Sequence, residues 1–216
     1  MSNQLLVLSD VSRSWTVHVR EWKFCQKCKI GEYADHHVFA RGTLPCDVLF
    51  LGEAPGLSED LLGYPFTGLA GKVLDGFIIQ LKLRMLARSL EYSRFLAAEN
   101  IFRWAITNTV LCQPVDEKGG HFREPTGQEK VRCRPRLAHF IEEVAQPKLV
   151  VCMGRHAETE ALLNKDGWAG KIPLVNIRHP SYITRNGWPT SGRSKELLYA
   201  DLIKVSDALK PILYKV

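Results

Sequence analysis

Four short runs of apolar, often β-branched residues constrain the fold of this 216-residue sequence more than any other feature. They lie at residues 47–52, 104–111, 148–154 and 172–177. Runs this short without polar alternation are typical of strands covered on both faces, as in a parallel sheet. Elsewhere apolar residues recur every three or four positions, which predicts helices at 69–85, 128–144, 156–163 and 194–213. Together the two patterns predict an α/β protein built on four parallel strands.

Composition and charge narrow the class of protein. With 45% hydrophobic and 24% charged residues the chain is typical of soluble globular proteins, and its length fits one domain over 1–216. Lys and Arg number 29 against 23 Asp and Glu, and this excess favours a polyanionic partner if it gathers on one face. The sequence has no signal-peptide pattern and no apolar run of about 18 residues, so we expect a cytoplasmic protein without a membrane partner.

Polar motifs follow or lie within three of the predicted strands. They are Gly52-Glu53-Ala54-Pro55-Gly56, Thr107-Asn108-Thr109 and Arg178-His179-Pro180-Ser181-Tyr182. Ligands of open parallel sheets bind beyond the carboxyl ends of the strands, where loops and helix N-termini converge. We therefore expect the three motifs to meet at one cleft.

Each polar residue of these motifs also has a structural explanation. The loop at Glu53 can be a strand-to-helix turn, although a carboxylate just past a buried strand needs a partner and such positions are often used in chemistry. His179 can be a packed or surface residue, or it can stabilise a developing anion while Ser181 holds a phosphate. Asn108 can bond the neighbouring backbone, or its amide can bind a base edge with one donor and one acceptor.

Four of the six cysteines form a possible metal site. Cys25 and Cys28 have C-x2-C spacing, and Cys112 and Cys133 follow the second predicted strand. Disulfides are unexpected in an intracellular chain, so the four thiols can hold zinc or an iron–sulfur cluster, which spacing does not separate. The two other cysteines are assigned to the structure of the protein: Cys46 and Cys152.

Aromatic and basic residues near the predicted cleft have two interpretations as well. Phe66 can belong to the core, or its ring can stack on a base. Single basic residues are ordinarily solvated, but several gathered around a cleft would bind phosphates. The candidates are Lys72, Arg178, Arg185 and Arg193.

The order of motifs resembles the uracil-DNA glycosylase superfamily, in particular its family-four, iron–sulfur-containing members. The match runs over residues 20–205. It is carried by Cys25-x-x-Cys28, Gly52-Glu53-Ala54-Pro55-Gly56, Pro65-Phe66-Thr67-Gly68-x-Ala70-Gly71-Lys72, Thr107-Asn108-Thr109, Cys133-Arg134-Pro135 and His179-Pro180-Ser181-Tyr182.

The resemblance implies a three-layer α/β/α fold around a four-stranded parallel sheet, and a DNA-repair hydrolase acting in base excision repair. Such an enzyme flips a damaged base into a pocket, where Phe66 stacks on it and Asn108 pairs with its edge. His179 faces the anionic oxygen of the leaving base, and Glu53 stabilises the sugar cation or orients water. The remaining binding residues are Gly52, Ala54, Pro55, Gly56, Lys72, Ser181 and Arg185.

The resemblance also implies a [4Fe-4S] cluster held by Cys25, Cys28, Cys112 and Cys133, and DNA as the partner of a monomeric protein. Three alternatives stay open. The chain can be a non-catalytic, cluster-containing DNA-binding homologue, or a glycosylase for another base such as 5-hydroxymethyluracil or hypoxanthine. It can also be a zinc-stapled protein that acts on free nucleotides.

Overall fold

The computed structural model describes residues 13–91 and 101–214. Five strands and eight α-helices cover most of this part of the chain. In chain order they are α1 (Arg13–Trp22), α2 (Lys29–Tyr33), β1 (Ala40–Gly42), β2 (Val48–Gly52), α3 (Leu57–Leu62), α4 (Leu69–Glu91), β3 (Trp104–Asn108), α5 (Gly127–His139), β4 (Leu149–Met153), α6 (Arg155–Leu162), β5 (Leu174–Ile177), α7 (Pro180–Arg185) and α8 (Gly192–Tyr214).

The five strands form one sheet in the order β1-β3-β2-β4-β5. The four predicted strands are β2 to β5, and neighbours among them pair in parallel. The predicted four-stranded sheet was incomplete, because β1 adds a fifth, antiparallel strand at the edge beside β3. The sequence pattern does not predict this strand, because a three-residue Ala-Arg-Gly segment carries no apolar run and becomes a strand only by pairing.

Helices cover both faces of the sheet, so the predicted three-layer α/β/α arrangement is present. Alternate residues of β2 point to opposite sides: Phe50 packs with α4 and α8, whereas Leu49 and Leu51 pack with α5 and α6. All three side chains are fully buried. Burying one such side chain contributes about 1.5–3 kcal/mol, which explains why β2 is apolar throughout.

Local backbone features mark both ends of α5 and its continuation. The Glu129 amide donates to the Thr126 hydroxyl (3.3 Å), and the Thr126 amide donates to the Glu129 carboxylate (2.7 Å). This capping box starts the helix at Gly127. The helix continues past His139 as one wide turn, Phe140–Ala145, which ends at Gln146 in the left-handed region with φ 43°.

Register and loops bring the polar motifs to one edge of the sheet. Gly52, the last residue of β2, stands beside Asn108, the last residue of β3. Beyond them the amides of Thr109 and Val110 donate to the carbonyls of Gly52 and Glu53, both at 2.9 Å. None of the helices in the described segments is long and apolar enough to cross a membrane.

Candidate active site

Gly52, Asn108 and Phe66 converge at the carboxyl end of β2. A Cβ atom on Gly52 would collide with Asn108 Oδ1 and would lie 2.8 Å from the ring of Phe66. Only glycine allows the amide and the ring to approach the backbone this closely. The absence of a side chain at Gly52 therefore lets the Asn108 amide and the Phe66 ring lie side by side against the end of β2.

The side-chain amide of Asn108 is buried without a partner. The residue is 1% exposed, and neither Nδ2 nor Oδ1 has a hydrogen-bond partner within the described residues. An unpaired buried polar group costs about 1–3 kcal/mol, and buried polar groups are normally paired. The structural alternative for Asn108, a side-chain bond to neighbouring backbone, is thus absent, and the amide has both a donor and an acceptor to offer a ligand.

Phe66 is held in an uncommon backbone conformation by the loop around it. Its φ is 56°, which is unusual for a residue other than glycine. Its amide donates to Glu59 Oε1 (2.6 Å), while Arg41 Nε donates to the carbonyl of Pro65 (2.9 Å). Gly71 lies so close that a Cβ there would collide with the Phe66 carbonyl. Backbone strain of this kind persists where surrounding contacts fix it, and it clusters at functional sites.

His179 faces the same ring and has a defined tautomer. The ring centroids of His179 and Phe66 are 5.8 Å apart. The backbone amide of Ser181 donates to His179 Nδ1 (3.2 Å), and the Ser181 hydroxyl lies 2.8 Å from the same atom. An amide can only donate, so Nδ1 is the unprotonated nitrogen and Nε2 carries the hydrogen of the neutral ring.

Burial keeps the His179 ring neutral. Desolvation, followed by the charges of Arg185 and His156, lowers the pKa of His179 to about 4. At neutral pH the ring is therefore an uncharged donor through Nε2. This is suited to stabilising an anion that forms during a reaction.

Glu53 lies between two basic side chains that sequence reasoning missed. Its Oε1 atom is 3.0 Å from Lys130 Nζ on α5 and 3.3 Å from His156 Nδ1 on α6. These contacts neutralise the carboxylate without hydrogen-bond geometry, since Oε1 has no hydrogen-bond partner within the described residues. Lys130 and His156 lie far from Glu53 in sequence and belong to no motif that we singled out.

His156 lies between two carboxylates. Its Nε2 lies 3.4 Å from Glu124 Oε1, so its ring bridges Glu124 and Glu53. Its positive charge, when present, also lowers the pKa of His179. Asn108 and His179 both lie beside Phe66.

The other predicted binding residues have varied positions. Arg185 Nη1 donates to the Ser181 hydroxyl (3.3 Å), so the two form one chain with His179. Lys72 is exposed near the start of α4, and its side chain makes no hydrogen bond or ion pair with described residues. Ala54 packs against the apolar cluster that contains the cysteines. Pro55 is buried, and the Gly56 amide donates to Glu59 Oε2 (2.7 Å).

The four predicted cysteine ligands lie together, and we call them the cysteine set: Cys25, Cys28, Cys112 and Cys133. Burial raises the pKa of the Cys112 thiol, and charge on the three other thiols raises it further. The backbone amides of Gly31 and Leu111 donate toward Cys28 and Cys133. Within the described residues, no three His, Cys, Asp or Glu side chains are placed to bind one metal ion.

Cysteine thiolates bind both zinc and iron–sulfur clusters, so the cysteine set is a donor set for either group. Cys46 and Cys152 lie elsewhere, in the core beneath α5 and α6, and burial raises the pKa of each thiol to about 12.

Fold and site together define an α/β protein with polar side chains gathered at the carboxyl edge of a mostly parallel sheet. The family model "Uracil DNA glycosylase superfamily" matches residues 39–203, so the chain belongs to this superfamily.

Several curated relatives carry the name type-4 uracil-DNA glycosylase. The protein of Saccharolobus solfataricus is 35% identical over 137 residues, which is 63% of this chain and 54% of that protein. That of Archaeoglobus fulgidus is 29% identical over 76% of this chain and 80% of its own length. That of Thermotoga maritima is 27% identical over 87% and 91%. This chain thus spans about half of the Saccharolobus protein and most of the other two.

Proposed function

We propose that this protein is a DNA glycosylase that flips uracil out of DNA and hydrolyses its N-glycosidic bond. The observation that carries the proposal is the buried, unpartnered amide of Asn108 against the ring of Phe66. If Asn108 served only the stability of the fold, we would expect its amide to be hydrogen-bonded or an apolar residue to stand in its place. The names of the curated relatives support uracil as the base.

Recognition in this proposal uses the edge and the face of the base. Uracil presents an N–H donor beside a carbonyl acceptor, and the Asn108 amide offers the complementary pair. Stacking on Phe66 would add about 1–3 kcal/mol. Because a base in a duplex has no such access, the nucleotide must first leave the stack. Lys72 and Arg185, exposed near the cleft, would bind flanking phosphates.

Bond breaking places negative charge on the base and positive charge on the sugar. His179 Nε2–H would donate to the carbonyl oxygen of the leaving uracil, and its neutral state avoids a charged, desolvated ring before the reaction. Glu53 would face the sugar, where its carboxylate stabilises the cation or orients the attacking water. Lys130 and His156 hold that carboxylate in place.

The cysteine set would hold a [4Fe-4S] cluster. The cluster would tie α1, α2, the end of β3 and α5 together, and hydrolysis takes no electron from it. Four neighbouring cysteines, with backbone amides directed at two of the sulfurs, are a donor set suited to thiolate ligands. All proposed site residues belong to one chain, so we propose that a monomer, one domain over 1–216, acts on DNA in the cytoplasm.

The activity is tested with anaerobically purified protein and oligonucleotides that contain one uracil, 5-hydroxymethyluracil, hypoxanthine or xanthine. We expect alkali-labile abasic sites in the uracil strand. His179→Ala and Asn108→Ala should slow excision by about 100-fold or more, since each removes a transition-state contact. Binding of uracil-containing DNA without any cleavage by the wild type would instead establish the non-catalytic alternative, and cleavage restricted to another base would correct the substrate.

The cluster is tested by colour and metal content. Wild-type protein should be brown, with about four irons per chain. Cys112→Ser should lose iron and stability, while Cys152→Ser, a buried cysteine outside the set, should keep both the colour and the iron. A colourless wild-type protein that contains zinc would overturn this part of the proposal.

A further inference from the structure

Arg136 is a buried cation without a carboxylate partner. It lies on α5, is 1% exposed and is the largest charged side chain in the core. Within the described residues, no Asp or Glu oxygen lies within 4.0 Å of its guanidinium, and its Nε has no hydrogen-bond partner. Buried arginines are normally paired with an anion, because an uncompensated charge in the interior is strongly unfavourable.

The contacts that Arg136 does make all lie at the end of β3. Nη2 donates to the carbonyls of Asn108 (2.7 Å) and Thr109 (3.2 Å), and Nη1 donates to the hydroxyl of Thr107 (3.4 Å). A planar guanidinium that binds consecutive residues fixes the backbone more firmly than a single donor would. The backbone that carries the base-reading amide is therefore held by one side chain.

Cysteines of the set are close to Arg136 on α5 and at the end of β3. Cys133 precedes Arg136 by three residues on α5, so the two side chains share a face of the helix. Cys112 follows Thr109 by three residues and lies in the same buried cluster as Cys133. Burial lowers the pKa of Arg136, and thiolates at Cys133, Cys112 and Cys25 oppose that shift. Four ligating thiolates would supply the missing anion.

We propose that Arg136 is a positioning residue that couples the cysteine set to Asn108. Its charge is balanced by the ligated thiolates on one side, and its donors fix the backbone of the base-reading residue on the other. The cluster of the proposed function then supports catalysis electrostatically, through the placement of Asn108. This inference rests on that proposed function.

The test compares holoprotein variants at two neighbouring arginines. Arg136→Met removes the charge and the donors but keeps an apolar stem, and Arg136→Lys keeps the charge with fewer donors. Arg134→Met is the matched control, because Arg134 lies one residue from Cys133 but pairs with Glu160 (3.0 Å) away from β3. Three quantities are measured: the reduction potential of the cluster, single-turnover kcat on uracil-containing DNA, and Kd for undamaged DNA.

Arg136→Met should shift the potential to a more negative value, since a nearby cation stabilises the reduced, more negative cluster. It should also lower kcat by about tenfold or more, with Kd for undamaged DNA within about twofold of wild type. Arg136→Lys should restore most of the potential but only part of kcat. The Arg134→Met protein should match wild type in all three.

Two results would overturn the inference: a wild-type potential or wild-type kcat in Arg136→Met, or equal shifts in Arg134→Met. If Arg136→Met gives no folded holoprotein, Arg136→Lys decides alone, and a wild-type kcat in that variant overturns the inference. Wild-type protein that lacks iron or excises nothing would instead show that the proposed function has failed.

Discussion

His179 Nδ1 accepts the backbone N–H of Ser181, two residues along the chain, at 3.2 Å. The same atom is 2.8 Å from the Ser181 hydroxyl. Proline at the intervening position fixes the backbone that makes this arrangement possible. The His-Pro-Ser sequence thus fixes the tautomer of its own histidine. Ser181, which we expected to hold a phosphate, orients the imidazole.

The first prediction concerns the titration of His179. Its pKa is lowered to about 4, so the ring should remain neutral from pH 7 down to about 5. The pH profile of single-turnover kcat should have no acid limb near 6.5 that depends on His179. Heteronuclear NMR of the ring nitrogens, with His179→Gln to assign the signal, checks this directly. A His179 titration between pH 6 and 7 would contradict the neutral-donor role.

The second prediction separates function from stability at Asn108. Asn108→Leu removes two unpaired buried polar atoms, so the free energy of unfolding should stay equal or rise by about 1–2 kcal/mol. Excision should fall about 100-fold or more. Chemical denaturation and single-turnover kinetics measure the two effects.

Thr107→Val is the control for Asn108→Leu. Thr107 lies one residue earlier on β3, and its hydroxyl donates to the Phe39 carbonyl (2.6 Å). The same hydroxyl accepts from Arg136 Nη1 (3.4 Å), so losing both bonds should cost about 1–3 kcal/mol. If Asn108→Leu instead loses more stability than Thr107→Val, the amide has a structural partner and its role in reading a base is refuted.

The third prediction concerns the loop that carries Phe66. Glu59 accepts from the amides of Gly56 (2.7 Å) and Phe66 (2.6 Å), and burial raises its pKa. Glu59→Gln replaces one accepting oxygen with an NH2 group that cannot accept. Stability should fall by about 1–3 kcal/mol, and kcat should fall as the ring loses its fixed position.

Ser58 is exposed and lies next to Glu59 on α3, so Ser58→Ala is the control for Glu59→Gln. This variant should retain wild-type kcat and wild-type unfolding free energy. Wild-type kinetics in Glu59→Gln would mean that the backbone of Phe66 is held without the carboxylate.

The fourth prediction follows from His18, which is fully buried between α1 and α5. Desolvation, followed by the charges of Arg136 and His139, lowers its pKa from 6.5 to about 3. Below pH 6.5 the unfolded chain binds a proton that the folded protein does not, so stability falls as the pH drops from 6.5 toward 3. Between pH 7 and 4 the loss from this group should be about 2 kcal/mol or more.

Denaturation curves at several pH values measure the effect of His18. His18→Met should flatten the pH dependence in this window, whereas the same substitution at exposed His121 should leave the wild-type slope. An unchanged slope in His18→Met would show that other groups account for the loss.

The sequence by itself determined the parts of the protein that depend on short-range pattern. The continuous apolar runs of β2 and β4 predict strands covered on both faces, and both are completely buried. The predicted second and fourth strands, 104–111 and 172–177, are longer than β3 and β5, because pairing ends at Asn108 and begins only at Leu174. The motifs carrying Glu53, Asn108 and His179 were identified because each follows or lies within such a strand.

Only the tertiary structure decided how those residues are partnered. The strand β1 exists through pairing with β3, and Lys130 and His156 reach Glu53 from separate helices. Arg136 joins the cysteine set to the end of β3 from α5. No local pattern encodes such contacts, because the free energy of a buried charge or an unpaired amide depends on atoms brought from distant parts of the chain.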